Sequence, residues 1–199
     1  SAAAAPVHLT AALVADHDGI APGQTIRLAL VQTIEDGWHT YWRNPGDAGE
    51  ATSLDWTLPR GWRAGAIVWP APEQLRLGPL MNYGYEHQVL LPVAVTAPAD
   101  ARPGDVATLK AHASFLVCKD VCIPEQGKAT LALPVSARPT PDAAWGPAIQ
   151  RTLAEAPRPA GLTAVMSTSA TALRIAVTGP ALARPGLSNA YFFPYETTV

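Results

Sequence analysis

The sequence predicts an all-β sandwich for residues 1–137, on the basis of three observations. Short runs of alternating or continuous apolar residues recur along this part of the chain, as expected for strands. Each run is bounded by Pro, Gly or Asp, which are residues that turns prefer. The chain contains 15 Gly and 20 Pro among its 199 residues, more than a helical bundle normally carries. The spacing of the runs is typical of two packed antiparallel sheets.

The predicted strands follow one another with short turns between them. The first two lie on either side of a Gly- and Pro-containing turn at 18–23. The later runs are rich in Val, Leu and Ala and stop at similar residues. In chain order, the predicted strands cover 8–15, 24–33, 54–58, 66–69, 89–96, 106–117 and 129–135.

Residues 138–160 predict a short helix followed by a stiff linker. An apolar residue recurs every four positions at Trp145, Ile149 and Leu153, which predicts one buried helix face. Pro157 and Pro159 then end the helix, and their fixed backbone geometry stiffens the segment that follows.

The end of the chain predicts a further β segment, with strands at 163–167, 173–177 and 191–193. The 39 residues of 161–199 are too few to bury a sandwich core of their own. They either complete the first domain or belong to a second β domain that the chain contains only in part. The predicted regions are therefore a sandwich at 1–137, a helix and linker at 138–160, and a β segment at 161–199.

The charge balance excludes several classes of protein. The chain has 14 Lys and Arg against 16 Asp and Glu, for a formal net charge of −2, and no run of six like charges. Because nucleic-acid-binding proteins normally concentrate positive charge on one surface, we expect no nucleic-acid partner. No window of 18 consecutive apolar residues occurs, so no segment is expected to span a bilayer.

The two cysteines, Cys118 and Cys122, are the most specific chemical signal in the sequence. The Cα atoms of bonded cysteines lie within about 7 Å, so a disulfide here requires the segment to turn back on itself. By the chain-entropy estimate, a ring of about five residues stabilises a fold by only about 2 kcal/mol, which weakens a purely structural role. Lys119 favours a thiolate at Cys118, and Asp120 opposes it. These residues leave open a redox-active pair, a structural bridge and a metal site.

A metal site would need further ligands. The five histidines are scattered without His-x-x-x-His spacing, and the chain has only two methionines. The remaining arrangement for a metal site is that both cysteines and either His39 or His112 bind one copper or zinc ion. Hydrolytic chemistry finds no support, because neither Gly-x-Ser-x-Gly nor His-Glu-x-x-His occurs.

Three motifs resemble a known family. They are FLVCKDVCIPEQG at 115–127, DGWHTYWRNPGDAG at 36–49 and NYGYEHQVLLPV at 82–93. In combination they resemble the N-terminal periplasmic domain of DsbD, a transmembrane thiol:disulfide interchange protein. The CKDVCIP form is more similar to ScsB, the suppressor-of-copper-sensitivity branch. The resemblance covers roughly residues 7–137 and implies an immunoglobulin-like sandwich.

The resemblance implies a protein-disulfide reductase that works as one module of a larger membrane protein. Electrons would cross the inner membrane through a separate transmembrane domain and reach the cysteine pair from a thioredoxin-like domain of the same full-length protein. The pair would then reduce periplasmic proteins of thioredoxin fold, such as a disulfide isomerase or a ScsC-like protein. No cofactor is expected beyond the cysteine pair. The alternatives are a non-enzymatic immunoglobulin-like binding module with a structural disulfide, and a copper-binding domain.

The resemblance also implies roles for individual residues. In the family the second cysteine forms the mixed disulfide with partners, so Cys122 is expected to attack and Cys118 to resolve the intermediate. An aromatic cap covers the family's pair and ends in Tyr-Gly, which matches Tyr83 and Gly84. A cap is physically reasonable, because a dithiol in an oxidising compartment must be hidden from the wrong oxidants.

This chain departs from the family next to the expected cap. Leu80 and Met81 stand near the positions of two carboxylates in the best-known members. Proton transfer at the cysteines therefore needs other acids. The candidates are Asp120 and Glu86, and Glu125 is a further one. The other expected site-lining residues come from the aromatic stretch before position 43: Tyr41, His39 (an aromatic position in better-known members) and Trp38.

Overall fold

Strands account for most of the chain in the computed structural model, which describes residues 7–183 and 190–196. The described residues contain one α-helix, α1 (Trp145–Glu155), and a 3₁₀ turn at Pro180–Ala183. The strands are β1 (Leu9–Ala15), β2 (Thr25–Ile34), β3 (His39–Gly46), β4 (Ser53–Thr57), β5 (Arg63–Ile67), β6 (Glu73–Leu77), β7 (Leu80–Glu86), β8 (Gln88–Thr96), β9 (Val106–Cys118), β10 (Cys122–Pro134), β11 (Thr163–Thr168) and β12 (Leu173–Thr178).

Two antiparallel sheets form the sandwich. The four-stranded sheet has the order β1-β2-β8-β5. The six-stranded sheet has the order β10-β9-β3-β7-β6, with β4 pairing with β9 beyond this path. The predicted all-β, immunoglobulin-like sandwich is confirmed. In this order β10 lies at a sheet edge and β9 in the interior, which matters for the cysteines that end these two strands.

The core lies between the sheets and follows the alternation of the strands. Successive side chains of a strand point to opposite faces, so every second residue of β9 faces the core. Leu28 and Val95 of the first sheet meet Leu109 and Leu133 of the second, and all four are at most 2% exposed. Trp56 and Trp62 pack against this cluster from its margin, as do the other half-buried residues Leu54, Leu58, Ala64, Ile67, Ala101 and Leu131.

Most strands with a strong local sequence pattern lie where they were predicted, and the run predicted at 66–69 overlaps β5 only at its end. The runs with clear alternation or continuous apolar character correspond to β1, β2, β4, β8, β9, β11 and β12. Three strands were missed: β3, which is crowded with aromatic and polar residues, and the hairpin strands β6 and β7. β10 is longer than predicted because its first half is an edge strand of low hydropathy. The strand predicted at 191–193 is wrong, because these residues pair with no strand in the described chain.

A buried polar link joins the two sheets beneath β3. The Gln32 side chain on β2 donates a hydrogen bond from Nε2 to Thr52 Oγ1 (2.8 Å) and accepts one at Oε1 from Thr40 Oγ1 (3.0 Å). All three residues are buried. Since a buried polar group that loses its partner is costly, these bonds fix β3 relative to β2. β3 carries two of the predicted site residues, so the link also positions the site.

The predicted helix is present as α1. Asp142 Oδ1 accepts hydrogen bonds from the backbone N–H of Ala144 (2.9 Å) and Trp145 (2.7 Å), which satisfies two of the free donors at the helix start. Ile149 is completely buried. The helix ends before Pro157, which cannot continue it.

The described chain divides into two compact units. The first contains the sandwich and α1 up to Ala156, together with residues 194–196. The second begins at Pro157, ends at Phe193, and contains the β11–β12 hairpin, whose residues are almost all exposed. The predicted boundaries at 137 and 160, and the assignment of 161–199 to a second domain, stay predictions. The described part of the chain contains no helix with the length and hydropathy needed to cross a membrane.

Residues 194–196 lie along β3 within the first unit. Asn44 Nδ2 donates hydrogen bonds to the backbone carbonyls of Pro194 (2.7 Å) and Glu196 (3.0 Å). Arg43 pairs with the Glu196 carboxylate at 2.9 Å and its guanidinium lies 4.4 Å from the centre of the Tyr195 ring. The second half of β3 therefore contacts this segment, whereas its first residues lie beside the cysteines.

Candidate functional site

The two cysteines close the hairpin between β9 and β10. Cys118 is the last residue of β9, Cys122 is the first of β10, and they are direct partners across the strand pair. Their Cα atoms lie 4.1 Å apart and their sulfurs are bonded. The turn between them is Lys119-Asp120-Val121, closed by a hydrogen bond of 3.0 Å from the Lys119 N–H to the Val121 carbonyl. The chain therefore turns back on itself at the cysteines, as a disulfide at this spacing requires.

The two sulfur-bearing residues differ sharply in exposure. Cys118 is 0% exposed, whereas Cys122 is an exposed residue. The difference follows from the sheet order: β9 has neighbours on both sides, and β10 is an edge strand. One residue of the disulfide is thus reachable from solvent and the other lies beneath it.

β3 brings a histidine and a tyrosine to the disulfide. His39 is the direct partner of Cys118 across the β3–β9 pair. Two residues on, and so on the same face of the strand, the Tyr41 hydroxyl lies 3.7 Å from Cys122 Sγ. His39 Nε2 lies 3.3 Å from the same hydroxyl. An imidazole, a phenol and the sulfur of Cys122 therefore form a continuous hydrogen-bonding row.

Burial changes the proton affinity of both β3 groups. Desolvation lowers the pKa of His39, and the carboxylate of Glu86 partly offsets this by raising it. Desolvation raises the pKa of Tyr41. Both shifts favour the uncharged forms, a neutral imidazole that can accept a proton and a phenol that keeps its own.

β7 supports this row from the other side of β3. Gly84 is the partner of Tyr41, and Glu86 is the partner of His39. A Cβ atom at Gly84 would lie 1.9 Å from the Thr40 carbonyl oxygen, so the close approach of the two strands requires glycine. Gly84 and Glu86 share the strand face that carries His39 and Tyr41.

A loop after β3 covers the Tyr41 ring. A Cβ atom at Gly49, where φ is +117°, would lie 2.3 Å from that ring, so the loop backbone lies directly on it. The loop is fastened to β7: Asp47 Oδ2 accepts from the Met81 N–H (2.7 Å), and Asn82 Oδ1 accepts from the Ala48 N–H (3.1 Å). Tyr41 is consequently only 1% exposed. The predicted site did not include Gly49, although it ends one of the three motifs.

The predicted cap residue Tyr83 lies within β7, opposite Gln74 of β6. It is 9% exposed, and strand alternation places its side chain on the face opposite Gly84. Trp38, the other predicted aromatic, stacks on the His8 ring with centroids 3.7 Å apart. The functional assignments of Tyr83 and Trp38 stay predictions.

An open cleft of about 290 Å³ lies beside the disulfide turn. Its walls are the β6 strand, the hairpin turn and the start of β3, and it contains both predicted acids, Asp120 and Glu86, together with Lys119 and His39. Glu125 lies elsewhere, where its Oε1 accepts a hydrogen bond from the His8 N–H at 2.9 Å. Acid–base roles for Asp120 and Glu86 stay predictions.

Within residues 7–183 and 190–196, no group of three or more His, Cys, Asp or Glu side chains has the arrangement of a metal site.

The sequence of residues 10–134 matches the family described as thiol:disulfide interchange protein DsbD, N-terminal. The match includes all three motifs and both cysteines, and it covers more than half of the chain. The chain belongs to the DsbD N-terminal family. The predicted kinship with DsbD and ScsB N-terminal domains is thereby confirmed.

One solved structure agrees with this family at the level of the fold. The N-terminal periplasmic domain of ScsB from Proteus mirabilis matches with a TM-score of 0.53 and 20% identity, over 76% of this chain and 57% of that one. The chain therefore spans little more than half the length of that structure. Spo0M, a sporulation control protein from Bacillus subtilis, matches with a TM-score of 0.34 and 7% identity, over 67% of this chain and 51% of that one. Among the curated proteins, none matches this chain.

The family and the geometry of the cysteine pair together support thiol–disulfide exchange as the general chemistry of this chain. The bonded pair closes a hairpin at a sheet edge, with Cys122 exposed to solvent.

Proposed function

We propose that this domain passes reducing equivalents from a thioredoxin-like domain of the same full-length protein to periplasmic proteins of thioredoxin fold. The observation that carries the proposal is the asymmetry of the bonded pair, with Cys122 exposed and Cys118 buried beneath it. In such a pair a partner's sulfur can reach only Cys122, and Cys118 remains available to resolve the mixed disulfide. The proposal places the domain in the periplasm and needs no cofactor beyond the two cysteines.

The exchange proceeds through two sulfur displacements. In the reduced domain the Cys122 thiolate attacks one sulfur of the partner's disulfide, a Cys122–partner disulfide forms, and the partner's other sulfur leaves as a thiolate. The Cys118 thiolate then attacks Cys122 Sγ, which forms the intramolecular disulfide and releases the partner's second thiolate. Two electrons move from the domain to the partner, and the two partner thiolates take up protons from solvent.

The geometry fits this order of attack. A buried Cys118 cannot meet a partner's disulfide without local opening, whereas it already faces Cys122 across the strand pair. The cleft beside the turn adds charged groups of both signs, including Lys119 and Asp120, at the rim where a partner would dock. The thioredoxin-like domain then reduces the Cys118–Cys122 disulfide again by the same two displacements in reverse.

Single-cysteine variants test the proposal. The reduced chain is mixed with an oxidised thioredoxin-fold disulfide isomerase, and mixed disulfides are resolved by non-reducing electrophoresis and mass spectrometry. Cys118→Ala should accumulate a disulfide between Cys122 and the partner, because the attacking thiol remains and the resolving thiol is gone. Cys122→Ala should form none, and the wild type should reduce the partner fully.

The two variants are each other's matched control, since each removes one thiol from the same hairpin. Equal trapping by both variants would contradict the assignment of Cys122. Failure of the reduced wild type to reduce the partner, while a thioredoxin control succeeds, would contradict the exchange function itself.

A further inference from the structure

We propose that Tyr41 and His39 form a proton relay for Cys122, in which the Tyr41 hydroxyl contacts the attacking sulfur and His39 acts through that hydroxyl. This inference rests on the proposed exchange function and adds a mechanism for generating the thiolate. The relay supplies a proton acceptor from β3.

The distances define the relay. The Tyr41 hydroxyl lies 3.7 Å from Cys122 Sγ, and His39 Nε2 lies 3.3 Å from that hydroxyl. The rings of the two residues meet edge to face, with centroids 5.2 Å apart. A phenol hydroxyl both donates and accepts, so it can connect a sulfur on one side to an imidazole nitrogen on the other.

Burial confines the proton to this row. His39 is 6% exposed and Tyr41 is 1% exposed, and the Gly49 loop lies on the Tyr41 ring. Bulk water therefore has little access to either group, whereas Cys122 faces solvent.

The relay moves one proton over two short steps without any change in oxidation state. The Cys122 thiol gives its proton to the Tyr41 oxygen while the Tyr41 hydroxyl gives its own proton to His39 Nε2. The products are a thiolate that accepts a hydrogen bond from Tyr41 and an imidazolium that donates one to it. Tyr41 ends as a neutral phenol, as its raised pKa requires.

The charged groups around His39 determine how readily it takes the proton. Glu86 is its partner on β7, and its carboxylate favours the imidazolium. Cys118 faces it from β9. The remaining titratable groups of the cleft are Glu73 and Arg76 on β6 and Lys119 and Asp120 in the hairpin turn. Desolvation opposes protonation of His39, and the Glu86 carboxylate favours it.

The pH dependence of alkylation tests the relay without any partner protein. In a Cys118→Ala background, the rate at which iodoacetamide modifies Cys122 is measured from pH 5 to pH 10. Tyr41→Phe removes the hydroxyl and His39→Phe removes the acceptor. Each should move the half-maximal rate upward by about one pH unit, because Tyr41→Phe removes the hydrogen bond to the thiolate and His39→Phe removes the group that takes up its proton. At pH 7 alkylation should then be about tenfold slower.

Two further variants separate a relay from a structural role. The double variant Tyr41→Phe with His39→Phe should behave like either single variant, since both interrupt one path. His39→Gln can hydrogen-bond to Tyr41 but cannot take up a proton, so it should resemble His39→Phe. The matched controls are Tyr85→Phe, which deletes a buried hydroxyl bonded to the Pro70 carbonyl (2.9 Å), and His112→Gln on β9. Both should keep the profile of the parent.

Proton uptake by His39 is also measurable in the unmodified chain. Nitrogen NMR of the His39 ring, recorded between pH 5 and pH 9, should show a higher titration midpoint in the reduced than in the oxidised protein, because the Cys122 thiolate forms only in the reduced protein and its charge stabilises the imidazolium. Equal midpoints would overturn the relay even if every variant failed to fold. An unshifted alkylation profile in the folded variants, additive shifts in the double variant, or a normal profile for His39→Gln would overturn it as well. None of these outcomes depends on whether the domain reduces a thioredoxin-fold partner.

Discussion

The two ends of the β9–β10 pair show how one structural element can serve stability and chemistry separately. At the open end, Leu109 and Leu133 are 0% and 2% exposed and belong to the core between the sheets. At the turn end, Cys118 is equally buried, but its partner Cys122 and the three turn residues are exposed. The same antiparallel ladder thus begins in an apolar core and ends in a reactive bond.

The difference between these ends has an energetic meaning. Burying a leucine side chain stabilises a fold by about 1.5–3 kcal/mol, so the two leucines together outweigh the roughly 2 kcal/mol of a five-residue disulfide ring. The fold can therefore lose the disulfide without losing its core. The hairpin turn is the part of the pair where a bond can open and close at small cost in stability.

Removal of core volume should produce the largest loss of stability. Leu109→Ala should lower the free energy of unfolding by about 2–5 kcal/mol, because it leaves a cavity between the sheets. Exchange by the folded protein should be unchanged. Urea unfolding and the partner-reduction assay measure the two effects.

The control for Leu109 is its exposed neighbour on the same strand. Lys110→Ala should change stability by less than about 0.5 kcal/mol. Slower thiol–disulfide exchange in folded Leu109→Ala would show that the two ends of the hairpin are coupled and do not serve stability and chemistry separately.

A smaller loss of stability, with a clear effect on chemistry, is expected at Gly84. Gly84→Ala places a Cβ atom against the Thr40 carbonyl oxygen, so β7 must move away from β3 at a cost of about 1–3 kcal/mol. Tyr41 is the partner of Gly84, so alkylation of Cys122 should slow as well. Gly65→Ala on β5 is the control, because its backbone has no positive φ and the added Cβ atom would lie 3.6 Å from Ala94, an ordinary contact distance. Normal alkylation in Gly84→Ala would show that Tyr41 does not depend on β7.

The smallest effect is the pH dependence that His39 gives to the oxidised protein. Burial lowers the pKa of His39 below the ordinary value of 6.5, so the unfolded chain binds more protons than the folded one as pH falls through and below that value. The free energy of unfolding should therefore decrease from pH 7 to pH 5. His39→Gln removes this term, so the wild type should lose more stability than the variant over that interval in urea unfolding. Parallel pH profiles would mean that His39 is as easily protonated in the fold as in the unfolded chain.

The sequence was sufficient for much of the fold where local patterns are strong. Alternation and punctuation by Gly and Pro predicted the long strands, and the fourfold spacing of apolar residues predicted α1. β3 was missed because its buried side chains include Tyr41, His39 and Asn44, which no hydropathy pattern marks as core. The residues 191–193 were assigned to a strand on composition alone, since β propensity does not supply a pairing partner.

For the site, the spacing of two cysteines and the resemblance of three motifs were enough to indicate the chemistry and the residues near it. The motifs are distant in sequence, and only the β9–β3–β7 pairing shows that they touch, with His39 between Cys118 and Glu86. The cover over Tyr41 by Gly49 likewise depends on bonds from one loop to another strand.

The sequence by itself determined that this chain is a β protein with two closely spaced cysteines and no other evident reactive motif. Only the tertiary structure decided which cysteine faces solvent and which groups touch it. The physical reason is that local patterns record what each residue prefers, whereas exposure depends on the order of strands in a sheet. Cys118 ends an interior strand and Cys122 begins an edge strand, and that order is set by pairings between residues far apart in the chain.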